Sequence, residues 1–384
     1  MSAQTTPTQY VSVKGTKLAY RRFGNPSTIP LLFLTHFRGT MDLIDPLLLN
    51  SIATSRSLIL LDNSGIGHSF GVIQSTIQEA GSTVVEFLDA IGVPKVDIIG
   101  FSMGGFIAQS IAVVYPYIVN KLVLTGTQSA YTEGFVAPDP DIMAEAGGDN
   151  PTEELMMKLF FYPSDTSRAL GHAWRERITE RHVDGEKRTT FVNVAGGQAQ
   201  TAAIGKFVSD PGFFGKLQQL DIPILITNGN RDIMTPTANS WLMQQRLKNA
   251  ELHIYPDSGH GHLYQIPEFS TTLLQCFAQL RYLQHNPLVN EFLTEAFGAS
   301  ELKDVGCTHI AIFVDTTDIA QLTEPSRPPV KEYLQYPFLN WKLDELVNFA
   351  RQFDRTAHGI IDTEFVMLDG KNSQRQDFCT CHAV

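Results

Sequence analysis

The stretch VDIIGFSMGGFIAQ (residues 96–109) decides how the rest of the chain is read. VDIIGF has the apolar composition of a buried strand, and the residues after it continue as an amphipathic helix over Met103–Tyr115, stopped by Pro116. Between them lies Gly100-Phe101-Ser102-Met103-Gly104-Gly105, a G-x-S-x-G pattern. A serine on so sharp a strand-to-helix turn is held in strained geometry, with its hydroxyl at the carboxyl edge of the sheet. Gly100 and Gly104 stand where neighbouring backbone crowds in. The helix N-terminus favours developing negative charge, and the Met103 amide can face an oxyanion. The pattern alone occurs by chance, and a structural Gly-rich turn is the alternative. Its setting between strand and helix favours Ser102 as a nucleophile.

A serine nucleophile needs a base. ELHIYPDSGHGHLYQIPEF (251–269) offers His253, His260 and His262. His253 falls inside a strand and reads as structural. His260 sits in a Gly-His-Gly loop after the last strand, where it can reach the same sheet edge. His262 opens the following helix and is the competitor. The base needs a carboxylate to fix its tautomer and stabilise the imidazolium. Asp232, in GNRDIMTP after the strand PILITN, is the candidate; the alternative is a turn acid paired with Arg231. The loop after the preceding strand, TGTQSAYT, holds no acid. A second oxyanion donor is expected from the loop after PLLFL, where the Phe37 amide is placed to join that of Met103 and His36 reads as loop-shaping.

These motifs, HFRG (36–39), DNSGIGHS (62–69), GFSMGG (100–105), GNRD (229–232) and SGHGHLYQ (258–265), resemble those of the α/β-hydrolase superfamily in order and spacing. The resemblance covers about residues 10–285 and points to the cap-bearing branch of serine esterases, C–C hydrolases and perhydrolase-like enzymes. It implies the triad Ser102, Asp232 and His260, an oxyanion hole from Phe37 and Met103, and no cofactor or metal. DNSGIGHS is a structural turn in that family, so no role is assigned to His68. One departure stands out: the family's usual His-Gly pair in the oxyanion loop is His36-Phe37 here. Ser102 at the nucleophile position argues against dehalogenases and epoxide hydrolases, which use an aspartate there.

The remaining pattern fits a mostly parallel α/β sheet with helices on both faces. Further strands are expected at Lys17–Phe23, Pro30–Phe37, Leu58–Asp62, Lys121–Thr125, Pro223–Asn228 and Glu251–Tyr255, the first entering through an antiparallel hairpin across VKGTK. Helices are expected over Thr76–Ile91, closed by Gly92, and over Pro236–Leu247. The alternation breaks between about residues 128 and 215. There TEELMMKLFFY, SRALGHAWRERITERHV and GGQAQTAAIGKFV read as an inserted helical cap. Its Phe160, Phe161, Tyr162 and Trp174 are candidates to line an apolar pocket over Ser102, or else to pack on the sheet.

Residues 286–384 form the other expected domain, a small acidic α/β appendage of no recognised family. It has strands at Cys307–Val314 and Glu364–Leu368 and a helix over Trp341–Phe353 capped by Asn340. It carries 8 Lys+Arg against 15 Asp+Glu, so it holds most of the chain's net charge of -11. An acidic chain lacks the clustered cations that bind nucleic acid, and no apolar run is long enough to span a membrane. Cys276, Cys307, Cys379 and Cys381 make no disulfide framework, and the first residues carry no secretory pattern, so a cytoplasmic setting is expected. Cys379-Thr380-Cys381-His382 lacks a partner pair at zinc spacing. The leading function is hydrolysis of a small, apolar ester, thioester or lactone through an acyl-enzyme. The same triad could serve C–C hydrolysis, acyl transfer or perhydrolysis. A non-catalytic ligand-binding or interaction role, with a homo-oligomer or protein partner through the appendage, is the alternative of another class.

Overall fold

In the computed structural model, residues 2–27, 29–148 and 151–265 are described throughout, with two further strand segments at 307–312 and 365–369. The chain divides into two compact units, Met1–Gln279 and Leu280–Val384. In the second unit, Cys307–Ile312 and Phe365–Asp369 pair antiparallel. The expected helix over Trp341–Phe353, the Cys379–His382 tract and any partner surface of the appendage lie outside the described residues.

Among its described residues the first unit has eight strands: β1 (Gln9–Val13), β2 (Thr16–Gly24), β3 (Leu31–Leu34), β4 (Ser57–Asp62), β5 (Val96–Phe101), β6 (Val119–Thr125), β7 (Ile224–Gly229) and β8 (Ala250–Tyr255). They form one sheet in the order β1-β2-β4-β3-β5-β6-β7-β8. β1 and β2 make the expected antiparallel hairpin, β2 also runs antiparallel to β4, and every other pairing is parallel. Every residue of β3, β4, β5 and β7 is buried, as parallel strands covered on both faces require. Alternate residues feed separate cores: Leu32, Ile59 and Ile98 point to one face, Leu31, Leu58 and Ile99 to the other.

Helices α1 (Pro46–Ala53), α2 (Ile77–Ala90) and α3 (Met103–Val114) pack against these strands. Thr76 caps α2 by accepting from the Glu79 amide, and Gly92 leaves it at φ 70°. The block between β6 and β7 is helical, as expected: α4 (Pro140–Gly147), α5 (Glu153–Phe160), α6 (Asp165–Arg177), α7 (Val194–Val208) and α8 (Phe213–Leu217). After β7 come α9 (Thr237–Arg246) and the short α10 (His262–Gln265). No described helix is long and apolar enough to cross a membrane.

Three expected boundaries move. β3 ends at Leu34 instead of Phe37, because residues 36–39 leave the sheet as a turn closed by Gly39 N–H on the His36 carbonyl at 2.9 Å. Helix α6 stops at Arg177, not Val183. The chain beyond it diverts so that Arg181 reaches the buried Asp42, while Arg177 itself pairs with the buried Asp45 at 2.6 Å. Pro236 stands at the N-cap position of α9 without a side-chain capping bond, and Thr237 is its first residue.

Candidate active site

Strands β5, β7 and β8, with β6 between the first two, end at one edge of the sheet, and the loops after them hold the candidate residues. At the end of β5, Ser102 takes φ 54° and ψ -118°, a conformation that L-residues avoid. Its amide donates to Thr125 O at 3.0 Å on β6. Its carbonyl accepts from Gly105 N–H at 2.8 Å and from the Thr127 hydroxyl at 2.8 Å. Strain of this kind costs about 1–3 kcal/mol. Each fully buried large apolar side chain contributes about 1.5–3 kcal/mol. Ile98, Ile99, Phe101 and Ile111 are all buried around the turn, so packing outweighs the strain.

The glycines make this turn fit. A Cβ on Gly104 would lie 2.1 Å from the Leu34 carbonyl oxygen, and one on Gly100 would lie 2.6 Å from that of Gly104. The start of α3 therefore sits directly on the backbone of β3. That contact brings Met103, the first residue of α3, next to the loop that follows β3. Neither the Met103 nor the Phe37 amide donates a hydrogen bond within the described residues. Helix geometry leaves the first amides of α3 without an intrahelical acceptor.

After β7, Asp232 is buried and accepts four hydrogen bonds. These come from Met234 N (2.8 Å), Thr235 N (2.9 Å), Thr235 Oγ1 (2.7 Å) and His260 Nδ1 (2.8 Å). Burial alone would raise its pKa, but the His260 imidazole and these donors outweigh it and hold the carboxyl below its ordinary range. Asp232 is thus paired with His260. With Nδ1–H given to Asp232, the neutral His260 keeps its lone pair on Nε2. The His260 ring is buried against Phe101 (5.0 Å between centroids) and Phe160 (5.4 Å). The Ser102 hydroxyl makes no hydrogen bond to a described residue, His260 included.

His262 is a buttress for this arrangement. It is fully buried, its Nδ1–H donates to the His260 carbonyl at 3.2 Å, and its Nε2 lies 3.0 Å from the hydroxyls of both Thr125 and Thr227. Burial pushes its pKa down to about 3, so the ring stays neutral and accepts from those hydroxyls. His253 packs edge-on to Tyr255 in β8 and lies apart from the Asp232 contact. His36 shapes its loop: Nδ1–H donates to the Phe37 carbonyl at 2.9 Å, and burial lowers its pKa to about 4. The Phe37 side chain is half-buried and packs onto the core that holds Phe106 and Phe207.

Of the two readings of the cap aromatics, burial by packing is the one seen: Phe160, Phe161 and Trp174 are 4%, 3% and 0% exposed. Trp174 stacks on Tyr264 at 5.4 Å, and Phe160 packs between His36, Phe101 and His260. Their large apolar faces are better buried against one another and α10 than left facing water. Tyr162 is half-buried, and its amide donates to Ser167 Oγ. The cap also grips the histidine loop, because Gly261 N–H donates to the Phe160 carbonyl at 2.7 Å.

Several residues of the site's surroundings escaped the sequence reading. Thr235 was one, although D-x-x-T is the spacing at which a carboxylate accepts from residues two and three ahead. A buried ionic cluster was another. Asp42 contacts Arg21 at 2.7 Å, His68 at 2.8 Å and Arg181 at 3.3 Å, and accepts from Thr189 N at 2.7 Å. Burial would raise the Asp42 pKa, but His68 and Arg21 hold it well below the carboxylate range. His68, given no role from sequence, helps hold the Asp42 carboxylate that Arg181 and Thr189 of the cap also bind. Among the described residues no cluster of three or more His, Cys, Asp or Glu could hold a metal ion.

The model of the alpha/beta hydrolase fold family matches residues 30–265. An alpha/beta hydrolase fold protein from Chitinophaga pinensis is 33% identical in sequence, with a TM-score of 0.65 over 72% of this chain and 99% of that one. A 2-hydroxy-6-oxononadienedioate/2-hydroxy-6-oxononatrienedioate hydrolase of Pseudomonas putida is 27% identical over 250 residues, 63% of this chain and 80% of its own. The dihydrolipoyllysine-residue acetyltransferase component of an acetoin cleaving system, also from Pseudomonas putida, is 25% identical over 268 residues, 67% of this chain and 65% of its own. With the matched region spanning strands β3 to β8, the cap and all three sheet-edge loops, the chain belongs to the alpha/beta hydrolase fold family.

Proposed function

We propose that this hydrolase cleaves a small carboxylic ester, thioester or lactone through Ser102, His260 and Asp232. One observation carries the reading. The buried Asp232–His260 pair, at 2.8 Å, sits at the same sheet edge as a serine held at φ 54°.

In the first half-reaction His260 Nε2 takes the Ser102 proton as Oγ attacks the substrate carbonyl. Asp232, still ionised, stabilises the imidazolium and holds its orientation. The Phe37 and Met103 amides, which have no other acceptor among the described residues, donate to the tetrahedral oxyanion. His260 returns the proton to the departing alkoxide, leaving an acyl group on Ser102. In the second half-reaction His260 deprotonates water, the water attacks the acyl carbon, and Ser102 leaves with the proton. None of these steps calls on a metal or cofactor.

A second reading keeps the same residues and changes the bond. The Pseudomonas putida relative named as a 2-hydroxy-6-oxononadienedioate/2-hydroxy-6-oxononatrienedioate hydrolase favours C–C hydrolysis, in which the leaving group is a carbanion equivalent. The test is a panel of p-nitrophenyl esters and a vinylogous diketone, each with wild type and Ser102→Ala. Ester turnover lost in Ser102→Ala supports the first reading, and turnover of the diketone alone supports the second. Turnover of neither substrate by the wild type contradicts both.

A further inference from the structure

The loop that supplies the Phe37 amide is held by the cap. Residues 36–39 form a turn closed by Gly39 N–H on His36 O, and Arg38, at its third position, has φ 60°. Glycine is the usual residue where a turn demands that conformation. The peptide plane between Phe37 and Arg38 is pinned at both ends. His36 Nδ1–H donates to the Phe37 carbonyl at 2.9 Å, and the Arg38 amide donates to Gln200 Oε1 at 2.9 Å. Gln200 lies on the cap helix α7 and is buried.

The rest of Arg38 is also held by the cap. Its guanidinium, buried with the residue, donates from Nε to Val192 O at 2.7 Å and from one terminal nitrogen to Gly148 O at 3.1 Å. Its carbonyl accepts from Val192 N–H at 2.9 Å. A Cβ on Gly197 would come within 3.1 Å of Arg38 Cδ, so α7 presents a glycine where this side chain lies against it. Every one of these cap contacts reaches the residue next to Phe37. If the cap withdraws, Arg38 loses the acceptor that keeps its amide satisfied and its φ positive. The 36–39 turn then loses its hold at Arg38, and the Phe37 N–H, carried by the same turn one peptide unit earlier, is free to shift with it.

We propose that Gln200 acts through Arg38 as a positioning residue for the oxyanion hole, so that the hole is complete only while the cap is docked. This deepens the serine-hydrolase reading and rests on it. Closure over a substrate would then switch on the electrostatic part of catalysis, and an open, water-filled site would be a poor catalyst.

The experiment compares wild type, Gln200→Leu and Gln200→Glu, the last of which keeps an acceptor oxygen. Measured are kcat and KM for p-nitrophenyl butyrate and the inhibition constant of a trifluoromethyl ketone, whose serine adduct carries an oxyanion. Deleting an oxyanion donor outright costs about 10²–10³ in kcat. Displacing one by loss of its support predicts a smaller drop, about tenfold, for Gln200→Leu. KM should stay within about twofold, the ketone should weaken by the same factor as kcat, and Gln200→Glu should restore both. A loss confined to thermal stability or to KM, with kcat and the ketone unchanged, overturns the proposal. If Gln200→Leu does not fold, Gln200→Asn withdraws the acceptor by one methylene and answers the same question. Fluorophosphonate labelling of wild-type Ser102 separates the two failures. Absent labelling removes the serine-hydrolase reading and this proposal with it, whereas labelling with unchanged Gln200 variants removes this proposal alone.

Discussion

Acidification from about pH 7.5 to pH 5 should destabilise the hydrolase unit through its buried histidines. Burial lowers His36 from 6.5 to about 4 and His262 from 6.5 to about 3. Unfolded, both rings take up a proton below about pH 6.5, whereas folded they stay neutral until about 4 and 3. Their contribution is therefore complete above 6.5 and is lost as the pH falls. At about 1.4 kcal/mol per pH unit, the interval from 6.5 down to 5 costs about 2 kcal/mol per ring, about 4 kcal/mol together. Asp62 opposes them. Burial raises its carboxyl from 3.8 to about 6, so the folded chain binds a proton between 6 and 5 that the unfolded chain does not. That returns about 1 kcal/mol. The carboxylates held below their ordinary values, Asp42 and Asp232 among them, titrate at still lower pH and stay silent in this window. The net loss is about 2–3 kcal/mol, a large share of the 5–15 kcal/mol typical of a domain. Urea unfolding followed by the fluorescence of the fully buried Trp174 measures it, and His262→Gln should remove about half of the histidine cost. Stability that is flat or rising towards pH 5, or an acid slope unaltered in His262→Gln, would mean that the buried histidines do not set the acid limit.

Three substitutions test other parts of the account. Asp232→Asn should fold but lose about 10³–10⁴ in kcat, because the amide no longer holds His260 with a lone pair on Nε2; steady-state kinetics measure it. Gly104→Ala places a methyl group 2.1 Å from the Leu34 carbonyl oxygen. Relief requires α3 to lift from β3, so stability should fall by more than about 2 kcal/mol in urea titrations, with the nucleophile displaced. Arg21→Met leaves the fully buried Asp42 without its closest cation and should cost about 3–5 kcal/mol by the same assay.

The sheet was legible because its strands are covered on both faces, so runs such as LLFL and SLILLD carry no polar interruption. The sheet-edge residues were legible because each follows a strand: Ser102 after β5, Asp232 after β7 and His260 after β8. The choice between His260 and His262 rested on position alone until geometry gave Nδ1 of His260 to Asp232 and Nε2 of His262 to two threonines. Contacts distant in sequence left no local trace. Nothing in HFRG announces that Arg38 will meet Gln200, 162 residues on, and nothing near Asp42 announces Thr189. The cap aromatics stayed open between two readings for a related reason: apolar periodicity shows that Phe160 and Trp174 avoid water, but not whether a substrate or Tyr264 covers them.

The most direct test of the account is the mass of the protein after exposure to a fluorophosphonate, followed by peptide mapping. A single phosphonyl adduct on Ser102 is expected, absent from Ser102→Ala and slowed strongly in His260→Ala. An unmodified wild-type protein, or an adduct on another residue that persists in Ser102→Ala, would contradict it.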